Sequence, residues 1–389
     1  MAVTRRWLSK LGLLALSTGV ALLGLDLAIR VAGLDRPLVW QPDLRVGWWH
    51  IPGSSMHWTT EGDGHVVINS LGMRDVERQV EKKPGVFRIA VFGDSMTEGV
   101  QVDLDQTYTQ QLERLLQARG LSVEVLNFGM NGYSPLCGYL LYDTYGKTFH
   151  PDLVIHAVFT DNDIADGDPA LAAGQVGAPF VVPGAGPHLQ IDYSRTEASY
   201  RDYHKEPIYT IRRWSATYRT LSAIKNGWAA NKRAAASLQQ SAGVPKRFLL
   251  YADPLPEQFE RAWQTYSRIL DAFAGEVHEA GTRFVLLSVP AGQVVNDAAW
   301  ADVLAANPAM HGLRWSMNNP QERMEKLALE REIPLMQPTP EFHVQSSRAD
   351  PLFFNGIGHM TPRGHAAMAK YIADYLTTHG LVPGARASK

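Results

Sequence analysis

The sequence predicts an α/β protein: a three-layer α/β/α sandwich around a mostly parallel five-stranded sheet, with a membrane helix in front of it. Three observations predict it. Short apolar runs near 87–92, 123–126, 152–159, 284–289 and 333–336 alternate with amphipathic stretches, so successive strands need crossovers and pair in parallel. The run 152–159 is continuous enough in apolar residues to be buried on both faces. At the N-terminus, Arg5, Arg6 and Lys10 precede an uncharged, Leu-rich stretch over 11–25.

Composition bounds the classes. The chain has 389 residues, 45% hydrophobic and 20% charged, with 33 Gly, 23 Pro and one Cys, which excludes a disordered tail, a collagen-like repeat and a disulfide scaffold. Lys and Arg number 37 against 39 Asp and Glu, so no basic excess exists to neutralise a phosphate backbone, and nucleic acid is not an expected partner. The lone Cys137 forbids an intrachain disulfide.

The elements follow in order. Fifteen uncharged helical residues reach only about 22 Å, short of a hydrocarbon core of roughly 30 Å, so a span recruits Trp7, Leu8 and the residues up to 34. Asp26 and Arg30 stand four apart and can pair near the far interface. No small-residue cleavage site follows the apolar run, which favours an uncleaved anchor over 1–34. Residues 4–10 also match a twin-arginine export signal weakly, so export with signal cleavage is the alternative. With the basic tip inside, the expected location is a bacterial inner membrane, crossed once, with a mildly acidic body outside the cytoplasm. Residues 35–84 lack a helical period, carry Trp48, Trp49 and Trp58, and read as an extended arm with one or two strands. The body runs over 85–380. Helices are expected at 106–118, 139–145, 259–277 and 320–330, and after Thr361-Pro362. The βα rhythm fails between about 165 and 250, where a Gly/Pro/Ala-rich stretch and a polar helical stretch over 209–240 read as an insertion.

The chemistry sits at strand ends. Gly93-Asp94-Ser95 follows the first strand, placing Ser95 at the carboxyl edge of a parallel sheet, where open α/β folds bind ligands. Asp94 reads as a turn or cap residue, His156 as a core histidine and His365 as structural. No H-E-x-x-H, paired C-x-x-C, P-loop or G-x-G-x-x-G occurs, so no metal or cofactor is implied.

Four blocks in order then carry a resemblance. The run Val91-Phe92-Gly93-Asp94-Ser95-Met96-Thr97-Glu98-Gly99, the run Asn127-Phe128-Gly129-Met130-Asn131-Gly132, the stretch from Pro151-Asp152-Leu153-Val154 to Asp161-Asn162-Asp163, and His359-Met360-Thr361-Pro362-Arg363-Gly364-His365 resemble the conserved blocks of the SGNH/GDSL hydrolase superfamily. The resemblance implies its flavodoxin-like sandwich, Ser95 as nucleophile, His359 as base, and an oxyanion hole made by Ser95, Gly132 and the Asn162 side chain. Asp161 stands where the family usually has glycine.

The family also places an aspartate two or three residues before the base, and here Gly356 and Ile357 occupy those positions. Three accounts of what orients the imidazole stay open: Asp350 reaching in from the preceding loop, a backbone carbonyl, or Asn355. The resemblance implies a serine esterase acting on acetyl or short-acyl esters of a small molecule or an acylated glycan. Two alternatives stand beside it: an O-acyltransferase passing the acyl group to a glycan hydroxyl, and a catalytically degenerate carbohydrate-binding member.

Overall fold

The computed structural model describes residues 2–172, 177–184, 188–226, 243–347 and 349–383, with side chains from residue 7 onward. The chain forms two compact units, Met1–Leu38 with Arg201–Ser241, and Val39–Tyr200 with Ala242–Lys389.

In the first unit, α1 spans Ala2–Val31, and its part Trp7–Val31 is long and apolar enough to cross a membrane. Twenty-five residues rise about 37 Å, more than the roughly 30 Å of a hydrocarbon core, because the helix continues past Lys10 to Trp7 and Leu8 on one side and past Asp26 to Leu27 and beyond on the other, as expected. Asp26 and Arg30 pair one turn apart at 2.9 Å. The basic residues Arg5 and Arg6 have side chains outside the described set.

The larger unit holds the sheet. Its strands are β5 (Phe87–Gly93), β6 (Val123–Gly129), β7 (Leu153–Phe159), β10 (Arg283–Val289) and β11 (Leu335–Met336), in the order β11-β10-β7-β5-β6. Every pairing is parallel, so the sheet is wholly rather than mostly parallel. Strand β11 is shorter than the expected run because only Leu335 and Met336 reach Leu286 and Leu287. The chain starts at β5, winds out to β6, then returns past β5 to β7, so the winding reverses between β5 and β7. Crevices of such sheets open at that point, outside the carboxyl ends of the strands.

Helices cover both faces. Helices α3 (Tyr108–Ala118) and α14 (Pro362–Thr378) pack together, joined by Arg119 Nη1 donating to Ala373 O at 2.9 Å. Helices α4 (Pro135–Thr144) and α9 (Glu257–Glu279) cover the other face. Residues Ile89 to Phe92 of β5 are fully buried. The Phe92 ring stacks on Phe128 at 4.7 Å and meets Phe273 and Tyr142 edge-on at 5.9 and 5.7 Å. Burying such a ring contributes about 1.5–3 kcal/mol.

The arm has four strands rather than one or two: β1 (Trp40–Asp43) pairs antiparallel with β2 (Gly47–His50), and β3 (Ser55–Trp58) with β4 (Gly64–Val67). Alternation in the four-residue strands is too brief to read, but the burial of β4 does alternate. The arm is clamped to the body through buried polar groups. Arg74 Nη1 donates to Glu98 O at 2.8 Å, and Trp40 Nε1 and His50 Nε2 reach Glu98 Oε1 at 3.0 and 2.8 Å. Both His50 and Glu98 are wholly buried.

The insertion contains the hairpin β8 (Phe180–Val182) and β9 (Gln190–Asp192), α6 (Ser194–Tyr203), α7 (Ile208–Trp214) and a helix α8 over 216–226. The remainder of the stretch expected to be helical up to 240, and parts of the Gly-rich run over 167–187, lie outside the described residues.

Candidate active site

Strand β5 runs out at Gly93, where a Cβ would overlap Thr97 Oγ1, so only glycine permits the tight turn. Asp94 caps the short helix α2 (Ser95–Glu98) by accepting from Met96 N at 2.9 Å, as expected of a cap. Burial pushes the Asp94 carboxyl up to about 6, against the cap hydrogen bond, which lowers it. Ser95 is thereby held as the first residue of α2 at the sheet's carboxyl edge, 8% exposed.

Ser95 Oγ lies 2.9 Å from His359 Nε2. The other ring nitrogen, Nδ1, lies 2.5 Å from Glu61 Oε2, and the His359 backbone N–H donates to Glu61 Oε1 at 3.2 Å. With Nδ1–H donated to a carboxylate, Nε2 is the nitrogen free to accept the serine proton. Burial raises the Glu61 carboxyl, but its bonds and charge contact with His359 outweigh that, and the net shift is downward. Glu61 is therefore an anion at neutral pH.

Asp350 is not the orienting group. Its side chain is 69% exposed and pairs with Arg363 Nε at 2.9 Å. The backbone-carbonyl and Asn355 accounts fail as well, because Glu61 takes the Nδ1 position; Asn355 sits in a left-handed turn, φ 51°, over Phe354–Gly356. Glu61 comes instead from the β3–β4 turn. That turn is pinned by Asp63 N donating to Gln101 O at 3.1 Å, and at Gly62, φ +74°, a Cβ would overlap Gln101 O. At Gly358, just before His359, a Cβ would overlap Glu61 Oε1. The sequence offered one sign of this: the run Glu61-Gly62-Asp63-Gly64 is an acidic residue in a turn whose glycines imply close backbone approach.

The expected oxyanion donors occupy neighbouring strand ends. Ser95, Gly132 and Asn162 follow β5, β6 and β7, which are adjacent in the sheet and so about 5 Å apart strand to strand. Gly132 has φ +75°, a left-handed conformation that favours glycine. Its neighbour Asn131 donates its backbone N–H to Glu98 Oε2 at 2.6 Å, fixing the loop. Asn162 stands at the N-cap position of α5 (Asp163–Asp166) without a capping side-chain bond, and its Nδ2 donates to Asp166 Oδ2 at 2.8 Å, using one of two amide hydrogens. The departure at 161 has a structural reason. Buried Asp161 accepts from Tyr251 OH at 2.9 Å and from Gln293 Nε2 at 2.5 Å, and pairs with Arg247, which ties the Asn162 turn to two distant segments.

Beside Gly132 opens a cleft of about 380 Å³, with Trp40, Trp48, Val46, Met130 and Tyr133 in its walls. Two of the arm's tryptophans thus face open space as well as packing. His365 is buried, stacks on Tyr108 and accepts from Tyr108 N at 3.2 Å; burial pushes it down to about 3, as for a structural residue. His156 lies among Phe273, Tyr266 and Phe284, and burial pushes it down to about 3.

Neither a protein-family model nor a curated protein matches the chain. Several solved structures are similar to it. A lipase/acylhydrolase from Enterococcus faecalis has 12% identity and a TM-score of 0.40, over 77% of this chain and 100% of that one. An acetyl xylan esterase, AlAXEase, has 12% identity and a TM-score of 0.41, over 75% and 100%. A lipolytic protein of the G-D-S-L family from Veillonella parvula has 12% identity and a TM-score of 0.38, over 75% and 98%. What the site can do follows from its own geometry.

Proposed function

We propose that the chain is a serine esterase of the SGNH/GDSL type, anchored by α1 with its body outside the cytoplasm, that cleaves acetyl or other short O-acyl esters of small molecules or glycans. The observation that carries this is the unbroken line from Ser95 Oγ through His359 to the Glu61 carboxylate, at 2.9 and 2.5 Å. His359 takes the Ser95 proton as Oγ attacks the ester carbonyl, and returns it to the leaving alcohol. Glu61 holds the imidazole and stabilises its cation. The tetrahedral oxyanion faces donors at Ser95, Gly132 and Asn162, each worth about 3 kcal/mol when preorganised. Water, activated by the same histidine, then releases the acid from acyl-Ser95. Passing the acyl group to a glycan hydroxyl instead is the transferase alternative. The carboxylate from Glu61 takes away the main ground for a degenerate, binding-only member.

The test is turnover of p-nitrophenyl acetate by wild type, Ser95→Ala and His359→Ala, with and without glycan acceptors. Wild type is expected to release free acid at a rate the acceptors do not change, and both variants to lose turnover. Equal rates in wild type and Ser95→Ala end the esterase reading. Acylated glycan in place of acid selects the transferase. A periplasm-dependent reporter fused to the C-terminus tests the location, and its silence overturns it.

A further inference from the structure

Within the smaller unit, α7 and α8 turn apolar side chains outward. Ile211 is 43% exposed, Trp214 69%, Leu221 60% and Ile224 51%. Spacings of three place 208, 211 and 214 along one side of α7, and 221 and 224 along one side of α8. Residues 201–226 also carry six Lys or Arg against Asp202 and Glu206. Arg212 lies over the Tyr203 ring at 4.6 Å and Arg213 over the Trp214 ring at 5.7 Å. Apolar faces flanked by cations suit helices lying in the headgroup boundary of a membrane.

A polar clasp sets where these helices stand. Asp26 Oδ1, near the end of α1, accepts from Thr217 N at 2.9 Å and Ser215 Oγ at 3.1 Å, at the start of α8. Arg30 Nη2 donates to Trp214 O at 2.6 Å. Arg219 forks onto Asp35 at 3.0 and 2.7 Å and donates to Arg213 O at 2.8 Å, at the end of α7. The charged groups Asp26 and Arg30 mark where the lipid-facing run of α1 ends, and they are the groups that hold α7 and α8. The outward faces therefore stand at the membrane boundary.

We propose that α7 and α8 form an interfacial shelf beside α1, with Ile211, Trp214 and Leu221 inserted among lipids and Arg212, Arg213 and Lys225 meeting anionic headgroup phosphates. This rests on the reading of α1 as a membrane anchor.

The test uses the full chain in vesicles of phosphatidylcholine and phosphatidylglycerol. Single cysteines are introduced by Ile211→Cys, Leu221→Cys, Leu16→Cys and Leu329→Cys, the last in the other unit and 78% exposed. Each carries a thiol-reactive fluorophore. Native Cys137 is buried and its thiol pushed up to about 11, so it stays unlabelled. Lipid-borne spin labels should remove roughly half of the fluorescence or more at 211, 221 and 16, and leave 329 unchanged. Quenching at 16 with 211 and 221 behaving like 329 overturns the shelf and leaves the anchor standing, since those faces then meet water or a second copy. Absence of quenching at 16 overturns the anchor and the shelf together.

Discussion

Replacing Glu61 by Gln removes a charge from beneath the imidazole at nearly constant volume. The carboxylate faces His359 Nδ1 at 2.5 Å, with side chains 19% and 29% exposed. For charge centres about 4 Å apart at an effective dielectric of about 20, the imidazolium formed in the transition state is stabilised by about 4 kcal/mol. At about 1.4 kcal/mol per decade this is close to 10³ in rate, and the partial exposure of both groups brings the expected loss to about 10²–10³ in kcat. The assay is the steady-state rate of p-nitrophenyl acetate hydrolysis, in which KM should change little because Glu61 touches the base and not the substrate. Asp350→Ala is the matched comparison and should stay within about twofold, since an exposed pair with Arg363 is all it breaks. A Glu61→Gln rate within tenfold of wild type, or a larger loss for Asp350→Ala, would refute the assignment.

Gly358→Ala forces a Cβ onto Glu61 Oε1; it should cost at least tenfold in kcat, and the double variant with Glu61→Gln should be no slower than Glu61→Gln alone, whereas additive losses would mean that the two act separately. Glu98→Gln turns an amide NH2 against a donor in either orientation, Trp40 Nε1 on one side or the Asn131 backbone N–H on the other, so denaturant midpoints should fall by the equivalent of about 2 kcal/mol and kcat should drop as the Gly132 loop loosens; unchanged values for both would sink this role. Asp94→Asn should stabilise the chain in a pH-dependent way. The folded carboxyl titrates at about 6 against an ordinary 3.8, so between those values the folded state binds the proton more tightly, and the charge costs stability at higher pH. The gain from the substitution is expected near 3 kcal/mol at pH 7.5, shrinking to about 1 near pH 4.5, measured by denaturation at both values; a gain independent of pH contradicts the burial argument.

The sheet was legible because β5, β6, β7 and β10 are long, apolar and punctuated: β5 and β7 read as buried runs, and their order along the chain implied parallel pairing. Ser95 and His359, which the structure brings together, were legible for a related reason, since each sits in a contiguous block whose glycines and turn residues shape one strand end. The acid was not. Its position is set by two separate close approaches, Gly62 against Gln101 and Gly358 against Glu61, and a pattern that looks a few residues upstream of the histidine finds Gly356 and Ile357 instead. The glycines around Glu61 signal a close approach but not its partner, and Asp350 was attractive only because it was near in sequence. The same holds for Asp161, whose partners Tyr251 and Gln293 are 90 and 132 residues away.

Glu61 and His359 are separated by 298 positions, with Ser95 between them. A polypeptide made from its N-terminus presents Ser95 early, yet the imidazole hydrogen-bonded to it arrives only when nearly the whole body has been made, and it is aligned only once that late segment has closed onto an early one. Half-folded chains therefore present an ordinary hydroxyl with no imidazole beside it. Under the proposed function, ester turnover is a measure of completed assembly, and the onset of activity during refolding is expected to date the moment when the two ends of the fold meet.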